Sequence, residues 1–204
     1  MEAVYTASLA IAAFILGAIP FSVIIGRWLL KKDITTYGDG NPGAANVFRA
    51  GSKKVGMAAV ILDIIKGIPF VFISHYVLDL PALSPVIIAV FAVLGHAYSP
   101  FLGWKGGKAI AVTFGTTLGL MPQYEVFMIL AIAMILCAFL IQNDSWGVMI
   151  AVLATLIYFI ITKGYSWEPL LLVCFLIVLG IKHFEDLHSV PRFGGRFMRR
   201  SQAR

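Results

Sequence analysis

Long apolar runs separated by short polar stretches dominate the chain. Three runs are long enough to cross a hydrocarbon core, which takes about 20 helical residues: Ala3–Leu30, Val55–Leu78 and Ser84–Leu102. Three further runs are shorter but apolar throughout: Tyr124–Ile141, Trp146–Ile161 and Glu168–Ile181. A seventh, Lys108–Met121, is rich in threonine and glycine. The pattern predicts an all-α membrane protein with seven transmembrane helices, one of them short.

Two of these runs have features that predict how they behave in the folded protein. The short fourth run carries Gly115 and Gly119, a small-xxx-small pair that favours close helix packing. We therefore expect this helix to be buried among the others. The N-terminal run is longer than the apolar core of a signal peptide and has no basic flank. We expect it to remain in the protein as a spanning helix.

Composition agrees with the membrane assignment. Of 204 residues, 60% are hydrophobic and 13% are charged, and the mean hydropathy is +0.91. Soluble domains have about half their residues apolar and about a quarter charged. The length, with no Ser/Pro-rich linker, predicts a single domain over 1–204. Cys137 and Cys174 lie within apolar runs, which favours small buried side chains over a disulfide or a redox role.

The basic residues are distributed asymmetrically. With seven spans, all 16 Lys and Arg except Lys66 and Lys163 lie at one set of helix ends or in the tail beyond the last helix. Basic ends mark the cytoplasmic side, so the N-terminus is predicted outside and the C-terminus inside. The basic tail, 190–204, favours contact with anionic lipid. We find no nucleic-acid-binding motif and expect no nucleic-acid partner.

Three polar clusters fall on the predicted cytoplasmic side. They are YGDGNPGAANVFRA at Tyr37–Ala50, WKGGKAI at Trp104–Ile110 and KHFEDLH at Lys182–His188. This arrangement is expected of a multi-pass membrane protein whose site faces the cytoplasm, where a water-soluble reactant meets a lipid-embedded one.

The first two clusters have the chemistry of anion binding. In GDGNPGAAN the small residues leave backbone N–H groups uncovered, and Arg49 adds a forked donor suited to phosphate. An ordinary turn-rich connector is the alternative. In KGGK, Gly106 and Gly107 allow close backbone approach, while Lys105 and Lys108 lie at the start of a helix, where an anion is otherwise favoured. Simple anchoring of helix ends by lysine is the alternative there.

The remaining polar groups are less specific. His183 and Asp186 are three residues apart and share a face if the last helix continues. The Glu185 and His188 spacing lacks the second pair that a di-iron site needs, so no metal is expected, and an interfacial histidine is the alternative. Asp63 and Lys66 are intramembrane charges of opposite sign, expected to pair or to face the bundle. His96, near the end of the third run, favours a packing role.

Taken together, the motifs resemble the bacterial acyl-phosphate:glycerol-3-phosphate acyltransferase family. The resemblance rests on GDGNPGAANVFRA followed by LDIIKG, then GHAYSPFLGWKGGKAIAV, and KHFED at the end of the last helix. It implies a seven-helix membrane enzyme that moves a fatty acyl group from acyl phosphate to the 1-hydroxyl of glycerol 3-phosphate. The products are lysophosphatidic acid and phosphate, and no cofactor is required.

The resemblance also implies site residues. Arg49, Lys108 and His183 fall on positions that the family uses for phosphate binding and catalysis, and Asp186 is placed with them. The substrate-binding set comprises Asp39, Gly40, Asn41, Gly43, Asn46, Lys105, Gly106, Gly107 and Glu185. Three positions depart from the family: Asp39 replaces a serine, Ala45 a threonine, and Asp186 an asparagine.

Two of these departures introduce carboxylates beside an expected phosphate pocket, where like charges repel. Either neighbouring Arg and Lys neutralise Asp39 and Asp186, or the acceptor is not glycerol 3-phosphate. A related acyltransferase with another acceptor is therefore an alternative, as is a transporter of a phosphorylated metabolite. A transporter built on inverted repeats would carry a second glycine loop, and the sequence has none.

Overall fold

The computed structural model describes residues 1–120, 124–141, 143–164 and 166–190, and the regular structure of these residues is helical. The chain packs as two compact units, 1–122 and 123–204, and each is described separately below. The single-domain assignment stays a prediction. The end of the fourth run at Met121 and the basic tail from residue 191 onward lie outside the described residues.

The first unit contains the first four apolar runs. Its α-helices are, in chain order, α1 (Glu2–Ala18), α2 (Phe21–Leu29), α3 (Ala44–Arg49), α4 (Lys53–Ile65), α5 (Pro69–Phe72), α6 (Leu83–Ala97) and α7 (Ile110–Leu118). Short 3-10 turns cover Ile34–Thr36 and Pro100–Leu102, and a π-helical turn continues α5 over Ile73–Val77. Each of the four apolar runs is thus helical, with interruptions.

The first run is not one continuous helix, contrary to expectation. It breaks between α1 and α2 because Pro20 has no N–H to continue the helical ladder and disfavours a helical conformation in the residue before it. Ile19 accordingly has an extended conformation, with ψ of 119°. The break leaves main-chain carbonyl groups of the first run without helical partners. The side chain of Lys66 donates to the Ile19 carbonyl and that of Ser99 to the Ala18 carbonyl.

Glycine sets the closest helix contacts in this unit. A Cβ atom on Gly17 would clash with the carbonyl oxygen of Ala92, and one on Gly95 with that of Phe14, so α1 and α6 touch backbone to backbone. In the same way a Cβ on Gly115 of α7 would clash with the carbonyl oxygen of Ile64 in α4. The expected close packing of the fourth helix through its glycines is confirmed.

A small apolar core fixes the polar segment between α2 and α4. Val23, Ile34, Val47, Ala50 and Ala59 are buried against one another. They come from α2, the 3-10 turn, α3, the loop after α3, and α4. Ordinary side-chain packing therefore holds the segment that carries the glycine-rich motif against α2 and α4.

The second unit contains three longer helices and one short one: α8 (Glu125–Leu140), α9 (Asp144–Lys163), α10 (Trp167–Lys182) and α11 (Phe184–Leu187). α9 packs against both α8 and α10. Cys137 is buried against Ile141 and Ala151, and Cys174 is half-buried. Both are unpaired thiols, consistent with the packing role assigned to them.

Four helical segments among the described residues are long and apolar enough to cross a membrane: Glu2–Leu29, Lys53–Val77, Leu83–Leu102 and Asp144–Lys163. Glu125–Leu140 is a shorter apolar helix. The assignment as an all-helical membrane protein with several spans is confirmed.

Candidate active site

The glycine-rich loop is organised around the side chains of Asp39 and Asn46. The Asp39 Oδ1 atom accepts hydrogen bonds from the Asn41 N–H at 3.2 Å and from Asn46 Nδ2 at 3.0 Å. Asn46 is fully buried, and its Nδ2 also donates to the Asn41 carbonyl at 2.8 Å. The amide of Asn46 is thus committed to holding the loop in shape.

Two cationic side chains meet at the same carboxylate. Lys108 Nζ donates to Asp39 Oδ2 at 2.7 Å, and Arg49 Nη1 lies 3.5 Å from Asp39 Oδ1. Arg49 also donates to Asn46 Oδ1 at 2.7 Å. Lys108 comes from the segment before α7 and Arg49 from the end of α3. The structure therefore brings together the principal cations of the first two clusters, as the sequence predicts.

The environment keeps Asp39 ionised. Partial burial works to raise the pKa of Asp39, but the hydrogen bonds from Lys108, Asn41 and Asn46 and the Lys108 charge outweigh it. Together they lower the pKa from 3.8 to about 2. Of the two alternatives raised by this carboxylate, the structure supports neutralisation of Asp39 by neighbouring cations.

Glycines in the loop are required by geometry. Gly38 and Gly40 have positive φ angles of 59° and 72°, a region that side chains disfavour. A Cβ on Gly38 would also clash with Asn46 Oδ1 and with the guanidinium of Arg49. Gly43 is buried and immediately precedes α3. The glycine pattern thus allows the aspartate, the asparagine and the arginine to converge.

The KGGK segment packs against the end of α6. A Cβ on Gly106 would clash with the His96 carbonyl oxygen, and one on Gly107 with His96 Nε2. The Gly107 N–H donates to the His96 carbonyl at 3.0 Å, so in this conformation it is committed to the protein rather than to a ligand. The close backbone approach expected at these glycines is thus made to α6 within the protein. The Lys105 side chain is exposed.

A buried network of charged side chains lies next to the glycine-rich loop and the KGGK segment. Lys66 Nζ contacts Asp63 Oδ1 at 2.8 Å and donates to the Ile19 carbonyl at 2.8 Å, and Ser22 Oγ donates to Asp63 Oδ2 at 2.9 Å. His96 Nδ1 lies 3.8 Å from Asp63 Oδ1. The predicted pairing of Asp63 and Lys66 is confirmed, and the lysine supplies a partner for the carbonyl exposed by the helix break.

This network borders a narrow cleft that reaches both loops. Its lining includes Pro42 from the glycine-rich loop and Gly107 from the KGGK segment, together with Asp63, Lys66 and His96. The buried charged side chains and the two loops therefore line the same cleft of the first unit.

In the second unit, a buried serine joins His183 to Asp186. His183 is buried, and its Nδ1 lies 2.8 Å from Ser145 Oγ. Ser145 Oγ donates to Asp186 Oδ2 at 2.9 Å, whereas His183 Nδ1 and Asp186 Oδ2 are 3.9 Å apart. α10 ends at Lys182, so the histidine and the aspartate lie at a helix break rather than on one continuous helix.

The serine hydroxyl connects the two side chains. An ionised Asp186 can only accept a hydrogen bond, and with that charge the single hydroxyl proton of Ser145 goes to Asp186 and Ser145 accepts from the Nδ1–H of His183. The Nε2 atom of His183 is buried.

The structure thus places the expected residues in two groups. Asp39, Gly40, Asn41, Gly43, Asn46, Arg49, Gly106, Gly107 and Lys108 form the group in the first unit. His183 and Asp186 form the group in the second unit, while the side chain of Glu185 is exposed. Convergence of the third cluster with the first two stays a prediction.

Sequence reasoning missed Ser145, because one serine in an apolar run 38 residues before its partner carries no local signal.

Comparison with known proteins identifies relatives over nearly the whole chain. A family model described as glycerol-3-phosphate acyltransferase matches residues 7–191. A glycerol-3-phosphate acyltransferase of Enterococcus faecalis is 38% identical over 191 residues, covering 89% of this chain and 87% of the relative. One from Macrococcus caseolyticus is 36% identical over 187 residues, covering 90% of this chain and 92% of the relative.

Solved structures are also similar. The crystal structure of PlsY (YgiH), an integral membrane glycerol 3-phosphate acyltransferase in its glycerol 3-phosphate form, superposes with a TM-score of 0.77. It shares 26% sequence identity, and the match covers 90% of each chain. The lysophosphatidic acid form of PlsY gives a TM-score of 0.75.

Proposed function

The chain belongs to the glycerol-3-phosphate acyltransferase family, and from that premise we propose that it transfers a fatty acyl group from acyl phosphate to the 1-hydroxyl of glycerol 3-phosphate. The products are lysophosphatidic acid and inorganic phosphate. The reaction makes a phospholipid precursor from one lipid-soluble and one water-soluble substrate.

The proposed topology follows from the charge distribution. Seven spans, with the N-terminus outside and the C-terminus in the cytoplasm, put nearly all Lys and Arg on the cytoplasmic side. The glycine-rich loop and the KGGK segment then face the cytoplasm, where glycerol 3-phosphate is dissolved. The acyl chain lies between helices that open to the bilayer.

The meeting of Arg49 and Lys108 at Asp39 is the observation that carries the proposal. Two side chains 59 positions apart contact one carboxylate, Lys108 at 2.7 Å and Arg49 at 3.5 Å. A place that already holds a carboxylate between a guanidinium and an ammonium is suited to a phosphate group. Both substrates carry a phosphate group, and the leaving group is itself phosphate.

The mechanism uses positioning and charge rather than a covalent enzyme intermediate. The C1 hydroxyl oxygen of glycerol 3-phosphate attacks the acyl carbonyl carbon, and the bond from that carbon to the phosphate oxygen breaks. Arg49 and Lys108 hold the phosphates and stabilise the departing one. The hydroxyl proton passes to His183 or to a phosphate oxygen of the substrate.

The direct test is an assay of purified protein with a long-chain acyl phosphate. Phosphate release and lysophosphatidic acid formation are measured with and without glycerol 3-phosphate. We expect both to depend on the acceptor. Release of phosphate without acceptor-dependent formation of lysophosphatidic acid would contradict the proposed reaction.

Variants of the two cations test their roles. Arg49→Ala and Lys108→Ala should each lower turnover by about 10²–10³-fold, the range for removing one electrostatic stabiliser, without unfolding the protein. Arg27→Ala is the matched control for the arginine, because Arg27 lies 3.5 Å from the carboxylate of Asp33 and is exposed. Full activity in both Arg49→Ala and Lys108→Ala would refute the assigned roles.

A further inference from the structure

We propose that Asp39 is an internal competitor of the substrate phosphate: its carboxylate occupies the place between Lys108 and Arg49 that the substrate phosphate takes, and so lowers the affinity of the site for anions. The inference rests on the proposed function, because it takes the same two cations as the phosphate-binding groups. It gives Asp39 a role as an internal competitor rather than as a direct ligand of phosphate.

The two oxygens of Asp39 have different partners. Oδ1 is held by the loop itself, through the Asn41 N–H and the Asn46 amide. Oδ2 receives the hydrogen bond from Lys108 at 2.7 Å. The lowered pKa of about 2 keeps the group ionised at any physiological pH. One oxygen therefore shapes the loop, and the other provides a counter-ion for the cation that the mechanism assigns to phosphate.

Charge explains the competition. A ligand reaches Lys108 by displacing a carboxylate, so the Coulomb energy of the Lys108–Asp39 pair is lost whichever anion binds. This cost is common to monoanions and dianions, and it lowers the affinity of the site for both. A phosphate monoester dianion still gains more from the two cations than a monoanion does, because it carries the larger charge.

Asp39→Asn isolates this role. The side-chain oxygen of the substituted amide can still accept from the Asn41 N–H and from Asn46, while its neutral NH2 group replaces the charged Oδ2. Asp33→Asn is the matched control, because Asp33 Oδ1 likewise accepts from the N–H two residues later, that of Thr35, at 3.0 Å. Its Oδ2 is 3.5 Å from Arg27. Asp39→Ser is a second variant, whose hydroxyl also fits a turn of this kind.

Two readouts are compared among these proteins, purified in detergent. One is the KM for glycerol 3-phosphate, with inhibition by glycerate, which carries one negative charge. The other is calorimetric binding of inorganic phosphate, which needs no turnover. For Asp39→Asn we expect KM and the phosphate Kd to fall about three- to tenfold, as for the loss of a competing part-exposed ion pair, and glycerate to inhibit more strongly. Asp33→Asn should match wild type.

The outcomes separate the two proposals. An unchanged or raised phosphate Kd in Asp39→Asn and Asp39→Ser, with normal transferase activity in wild type, overturns the role of Asp39 and leaves the proposed function standing. A second outcome is that Asp39→Asn binds phosphate more tightly than wild type, while wild type shows no acyl transfer. That result refutes the proposed function and supports the competing carboxylate. Tighter phosphate binding without stronger glycerate inhibition overturns a competition that acts on every anion.

Discussion

Replacing Lys66 by methionine should destabilise the protein strongly, because it leaves a buried carboxylate without its cation. Lys66 and Asp63 are both buried, with 2.8 Å between Nζ and Oδ1. Removing one partner of such a pair costs about 3–5 kcal/mol. We expect Lys66→Met to lie at the lower end of that range, since Ser22 still donates to Asp63 and His96 lies 3.8 Å away.

The double variant Lys66→Met/Asp63→Asn separates the charge from the packing. Both charges are then gone, and the main loss is the hydrogen bond from Lys66 to the Ile19 carbonyl at the helix break. A lost hydrogen bond that leaves a buried acceptor costs about 1–3 kcal/mol. The double variant should therefore be more stable than Lys66→Met alone, although it carries one more substitution.

Unfolding by SDS in mixed micelles, followed by circular dichroism, measures these differences. Lys53→Met is the control, because Lys53 begins the same helix α4 and is exposed; a change within about 0.5 kcal/mol is expected for such a surface position. A destabilisation of Lys66→Met no larger than that of the control would refute the reasoning. So would a double variant whose loss equals the sum of the two single losses.

Three further predictions concern the site. Ser145→Ala should lower kcat about tenfold with little change in KM, as expected for one lost buried hydrogen bond, and Ser145→Thr should restore most of the activity in the acyl-transfer assay; an unchanged kcat in Ser145→Ala would exclude a positioning role. Gly107→Ala should destabilise the protein by about 1–3 kcal/mol through its clash with His96, whereas Gly180→Ala, whose nearest neighbouring atom is 3.5 Å from an added Cβ, should be near neutral in the same SDS titration. The pKa of Asp39 is lowered from 3.8 to about 2, so its charge stabilises the fold above the unfolded pKa and loses that effect as the pH falls from about 4 to about 2. The stability difference between wild type and Asp39→Asn should therefore be constant from pH 5 to 8. A slope in that range would contradict the assignment.

The sequence predicts the helices well and their interruptions less well. The apolar runs coincide with helices because every backbone group in a hydrocarbon core needs an internal partner, so a long apolar run has few other options. Apolar length alone does not reveal the break at Pro20. The stability of that break depends on Lys66 and on Ser99, whose Oγ donates to the Ala18 carbonyl at 2.6 Å. Neither is near the break in sequence.

The site is predictable as residue types rather than as contacts. Arg49 and Lys108 stand out because cations beside glycine-rich segments suit phosphate. The sequence cannot show that Asp39 lies between them. Packing places its carboxylate next to both cations, so it acts as their counter-ion, whereas the sequence suggests only that it would repel a phosphate. Gly107 is likewise recognisable as a point of close approach, but the group that approaches it is the His96 ring rather than a ligand.

Two lysine–aspartate pairs among the described residues of the first unit therefore have opposite consequences, and solvent access distinguishes them. The side chains of Lys66 and Asp63 are 1% and 3% exposed, so separating them would leave two charges in a medium that solvates neither. Those of Lys108 and Asp39 are 25% and 36% exposed, so water and a phosphate oxygen can replace either partner at a cost of the order of 1 kcal/mol. The first pair is consequently a permanent part of the fold, joining α4 to the helix break. The second is an exchangeable pair, which keeps the cations compensated while no ligand is bound and releases them to a bound phosphate.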